Sequence, residues 1–155
     1  MKQLIKNIDM DNKQFVKDQF RIFKKRGVNY RNVLMLTSFI ESIVRDQARQ
    51  AKKRKDFKHA LEILGLDIDR TNGIASYNKS SQYKDDCLIE INDLRVQRNE
   101  LLHDIIKEKL PQKYINDTIK KMGKNIRLIY TKSQFICNYF KNNFHFDIWD
   151  EFKGL

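Results

Sequence analysis

The chain has 155 residues, the length of one domain with room for one core. Hydrophobic residues make up 41% of it against 33% charged, which argues against wholesale disorder, and no apolar run reaches the roughly 18–20 residues of a membrane span. A formal net charge of +11 and a pI of about 9.6 suit a polyanionic partner.

With one proline and five glycines, turn chemistry is too scarce for the many hairpins of a sandwich or barrel, so the expectation is an all-α domain. The opening residues, MKQLIKNIDMDNK, hold neither an unbroken apolar stretch nor a small-residue cleavage site, and no signal peptide is expected. Leu4, Ile5, Ile8, Phe15, Val16, Phe20 and Phe23 recur at helical spacing, with a break near 9–12 and a stop at Gly27. Asn29 or Tyr30 opens a second helix. It is apolar nearly all round (Leu34, Leu36, Phe39, Ile40, Ile43, Val44, Ala48), as a central helix should be.

Next comes the basic run Arg49, Lys52, Lys53, Arg54, Lys55 and Lys58. Residues 1–60 carry sixteen Lys/Arg against six Asp/Glu, which leaves only +1 for the other 95. Such a stripe gains counterion-release affinity on a phosphate backbone, although it also reads as the solvated end of a helix. A short helix fits 56–64 and stops at Gly65, and residues 66–82 make the one substantial loop. A long helix spans roughly 84–109 before Pro111. The last long helix carries Ile115, Ile119, Met122, Ile126, Ile129, Ile136 and Phe140. The tail 141–155 is aromatic, and Phe144, Phe146, Trp149 and Phe152 are expected to cap the bundle or meet a partner. The expected architecture is a single all-α domain over 1–155, an up-and-down bundle of four or five helices with its core at about 13–140. Cys87 and Cys137 read as reduced, packed thiols of a cytoplasmic protein, and no metal-ligand spacing is present.

One position breaks the pattern. Ile91, Leu94, Arg98, Leu101 and Ile105 stand three, four, three and four apart, an a/d-like seam with a guanidinium in its middle. Burying that charge demands oxygen partners. Asn99 and His103 share one edge of the stripe, with Arg95 one turn before Asn99. The bland alternatives are a snorkelling Arg98, an ion pair that only fixes register and a surface histidine.

Arg98-Asn99-Glu100-Leu101-Leu102-His103 resembles the R-x4-6-H motif of the HEPN superfamily, in its form with a polar residue after the arginine. The second helix, Asn32 to Ser42, also looks like the HEPN helix that carries an acidic residue, here Glu41, after an apolar run. The resemblance implies a HEPN-like bundle and a metal-independent endoribonuclease that needs no cofactor. It also implies a homodimer whose two motifs face one cleft. Many members are toxins or abortive-infection effectors, so an antitoxin or sensor protein is a possible further partner. Carried over by position, Arg98 and His103 are the catalytic pair, Asn99 an orienting residue and Glu41 a support for Arg98. Arg95, Arg49, Lys52, Lys53, Arg54 and Lys55 are the expected RNA contacts. Ile105 stands where some of the toxins carry a modifiable tyrosine, so control by that route is not expected.

The chemistry suits the residue types. RNA carries its own nucleophile, the 2′-hydroxyl; a histidine exchanges protons near neutral pH, and an arginine stabilises charge on phosphorane oxygens. If the 91–105 seam meets its twofold mate, both Arg98 side chains enter one cleft. Two other functions compete: a HEPN-like module that binds RNA or a partner without cutting, and a basic DNA-associated helical protein.

Overall fold

The computed structural model describes residues 14–15, 17–25, 27–49, 56–106 and 111–145. It is mostly helical. Helix α1 runs over residues 17–25, followed by α2 (Tyr30–Arg49), α3 (Phe57–Leu64), strands β1 (Leu66–Ile68) and β2 (Ala75–Tyr77), α4 (Leu88–Ile106), α5 (Gln112–Lys132) and α6 (Gln134–Phe144). No helix among the described residues is long and apolar enough to cross a membrane.

Local chemistry sets the boundaries of the first elements. The chain leaves α1 through Gly27 at φ +74°. Asn29 and Asn32 then cap each other: the Asn32 amide donates to Asn29 Oδ1 at 2.9 Å, and the Asn29 amide to Asn32 Oδ1 at 3.0 Å. This reciprocal box starts α2 by satisfying two amides that the helix leaves without partners. Helix α3 begins at Asp56, whose carboxylate accepts from the His59 amide at 2.8 Å, and ends at Gly65 with φ +124°. A side chain at Gly65 would run into Ser81.

The Asp56 cap is pH-dependent. The His59 amide bond holds its carboxyl below the ordinary 3.8, outweighing the opposing effect of burial, with lesser help from the His59 ring and Lys58. A depressed carboxylate pKa gives stability that is complete above the unfolded value and fades as pH falls through the folded one. Asp56→Ala is expected to cost about 1 kcal/mol at neutral pH. Thermal unfolding of both proteins should show that difference shrinking once the pH drops below 3.8.

Helix α2 is central, packing on α3, α4, α5 and α6, with Val33, Leu36, Ile40 and Val44 fully buried. Phe20 of α1, Tyr130 of α5 and Phe140 of α6 meet edge-on with ring centroids 4.8–5.8 Å apart. The Tyr130 hydroxyl donates to the Leu36 carbonyl at 2.7 Å, so the buried phenol satisfies its polar end on α2. Cys87 is buried, and the Cys137 thiol donates to the Tyr130 carbonyl at 3.2 Å. Burial, aided by Glu90 and Asp86, pushes the Cys87 thiol up to about 11, which keeps it protonated at neutral pH.

Three expectations need correction. The loop 66–82 contains an antiparallel hairpin, with Leu66 opposite Tyr77 and Ile68 opposite Ala75. Asp69 and Asn72 build its tip by accepting from Thr71, Asn72 and Ile74 amides. The helix expected from 84 starts only at Leu88, because Lys84–Asp86 is a 3₁₀ turn and Cys87 is left-handed at φ 60°. The last long helix is two helices. Ser133 is extended, and buried Asp86 accepts from the Gln134 and Phe135 amides at 2.6 and 3.1 Å. That cap comes from a distant part of the chain, and it starts α6 afresh while the apolar spacing runs on across the break.

Candidate active site on helix α4

Helix α4 lays Ile91, Leu94 and Leu101 into the core at 0–1% exposure. This overturns the expected dimer seam. The 91–94–101 stripe is covered by the chain's own helices, so a second copy cannot pack on it. The Ile105 side chain lies outside the described residues.

Arg98, in the middle of this stripe, finds its oxygen partner within the chain. Its Nη1 donates to Glu41 Oε2 at 2.5 Å, with side-chain exposures of 16% and 23%. The guanidinium carbon also lies 5.6 Å from the ring centroid of Phe57, the buried first residue of α3. Arg98 is therefore wedged between a carboxylate of α2 and an aromatic face of α3. Such a pair is weak evidence for stability, since an apolar replacement of similar volume is often neutral or better by about 1–4 kcal/mol. What it secures is position.

Asn99 and His103 are exposed on the open edge of α4, and Leu102 beside them is 36% exposed. Guanidinium and imidazole thus belong to one helix, five residues apart, the first half-sunk and the second at the surface. Arg95 is part-buried and donates through Nε to Asn92 Oδ1 at 3.0 Å. Burial, then the charge of Arg98, pulls the Arg95 pKa below its ordinary value. Arg49, exposed at the end of α2, pairs with Asp46 at 3.5 Å, an exposed contact of little energetic weight. Lys52, Lys53, Arg54 and Lys55 lie outside the described residues, as do Phe146, Trp149 and Phe152. Phe144 packs on Tyr139 and Phe140.

Two participants escaped the sequence reading. Phe57 was not singled out in the sequence, and nothing in its spacing tied it to Arg98. Asn92 carried a signal: Asn92, Arg95, Asn99 and His103 form one polar edge at spacings of three, four and four. Asn92 is fully buried, and its Nδ2 donates to the Gly73 carbonyl at the hairpin tip at 3.0 Å. Among the described residues no group of three or more His, Cys, Asp or Glu gathers as a metal site would require.

No family model matches the chain, and searches among curated proteins and solved structures found no significant match.

Proposed function

We propose that the protein is a metal-independent endoribonuclease of HEPN type, with Arg98 and His103 as its catalytic pair. The observation that carries this reading is the Arg98–Glu41 pair wedged on Phe57, five residues before an exposed imidazole on the same helix. A charge so held presents a fixed guanidinium, and fixed donors are what stabilise a transition state without reorganisation. The motif Arg98-Asn99-x-x-x-His103 and the net charge of +11 support an RNA substrate.

In the proposed reaction the ribose 2′-oxygen attacks the adjacent phosphorus, and an imidazole takes its proton. Arg98 stabilises the charge building on the non-bridging oxygens, and Asn99 orients the imidazole or the phosphate. The bond to the 5′-oxygen breaks, and that oxygen takes a proton. The products are a 2′,3′-cyclic phosphate and a 5′-hydroxyl. The one His103 of each chain suffices for one proton transfer, so a second copy supplying the other His103 completes the site. With the 91–94–101 stripe already buried, that copy approaches along the open edge of Asn99, Leu102 and His103. A cytoplasmic toxin or anti-phage effector, held in check by an antitoxin or sensor, is the setting proposed for this activity.

The 2′-hydroxyl provides the test. Once the cut position in a labelled RNA is mapped, a single 2′-deoxyribose placed on its 5′ side is expected to abolish cutting there and nowhere else. Undiminished cutting at the deoxy position would overturn the mechanism.

A further inference from the structure

Arg95 and Arg98 stand three residues apart on α4, a spacing that puts their Cβ atoms about 5–6 Å from each other. Phe57 of α3 lies under Arg98, and the Arg98 charge, together with those of Asp56 and Glu62, acts on Arg95. Neither carboxylate forms an ion pair with Arg95. Asp56 contacts His59 Nδ1 at 2.7 Å, and Glu62 lies 4.0 Å from Lys58. Among the described residues the two guanidinium groups therefore share a single contacting carboxylate, Glu41.

One positive charge is left over in a partly desolvated place, which is costly without an anion. A phosphodiester fits the need in charge and shape, with one negative charge and two non-bridging oxygens for planar donors. Arg95 is also held for the task. Its Nε is tied to Asn92, so binding would use the terminal nitrogens, to which no described residue forms a hydrogen bond or ion pair. Asn92 itself cannot swing, because it is fully buried and its other end is fixed to Gly73 on the hairpin.

We propose that Arg95 and Arg98 form a clamp for one phosphodiester of single-stranded RNA, and that Asn92, anchored to the hairpin tip, is the positioning residue that aims Arg95. The clamp deepens the ribonuclease reading by naming where the strand is gripped, and it is tested apart from cleavage. The probe is a short fluorescent RNA with 2′-O-methyl riboses, which lacks the nucleophile, bound to the full chain across a salt series.

Arg95→Gln is expected to weaken binding about tenfold and to flatten the salt dependence by about one phosphate contact. Lys141→Gln, exposed on α6, serves as the control for loss of one surface charge and stays within about twofold of wild type. Asn92→Ala should weaken binding as Arg95→Gln does, and the double variant should match Arg95→Gln alone. Losses that add in the double variant, or a lowered melting temperature with unchanged salt slope, would make Asn92 merely structural and overturn its assignment. Arg95→Gln binding like wild type, no binding by wild type, or an Arg95-dependent preference for DNA of the same sequence would each overturn the clamp. Arg95-dependent binding by a protein that cuts no unmodified RNA would keep the clamp and remove the nuclease.

Discussion

His103→Ala is expected to slow RNA cleavage by about 10²- to 10⁴-fold, the usual contribution of a positioned acid or base. His103 is exposed near the end of α4, so the variant should remain folded. Thermal unfolding should still show one cooperative transition while single-turnover cleavage collapses. If two copies each lend one imidazole, mixing His103→Ala chains with Arg98→Lys chains should restore part of the activity. Equal cleavage by wild type and His103→Ala would remove this residue from the reaction.

The second large effect concerns Arg98, where stability and chemistry can be separated. Arg98→Ala leaves the Glu41 carboxylate, 23% exposed, without its contact. A polar group stranded in this way costs about 1–3 kcal/mol, and for a domain of this size each kcal/mol lowers Tm by about 2–4 °C. Cleavage should fall at the same time. The decisive variant is the double substitution Arg98→Met with Glu41→Leu, which removes both charges and keeps the volume. It is expected to recover the lost stability, or exceed wild type, because apolar replacements of desolvated pairs are often neutral or stabilising. Cleavage should stay lost. A double variant that regains stability and cuts normally would show that the pair only sets helix register.

Much of this architecture was legible in the sequence because its determinants are local. Asn29 announces the start of α2, Asp56 and Gly65 bracket α3, and the nearly all-round apolar surface of α2 marks it as central. The hairpin was hidden because its strands are three residues long, too short for alternation to stand out from the turn residues around them. The break at Ser133 was hidden for a different reason. Its cap, Asp86, lies 48 residues from Gln134 in the chain, and no local pattern encodes it.

At the site, spacing placed Arg98 on the packed face of α4 and Asn99 and His103 at its edge. It could not say what covers that face. A three-four repeat identifies residues that share a side, and the same pattern serves a neighbouring helix of the chain or a second copy. Here helices α2, α3 and α5 of the same chain take the place assigned to a twofold mate. Phe57 and Asn92 enter the site through tertiary contacts alone, from Arg98 to the α3 ring and from Asn92 to the hairpin tip.

The most direct measurement is the fate of an end-labelled single-stranded RNA incubated with the purified chain in excess EDTA. The account predicts scission that leaves 2′,3′-cyclic phosphate ends and that disappears with His103→Ala. Intact RNA after prolonged incubation with wild type, or ends bearing a 3′-hydroxyl, would contradict it.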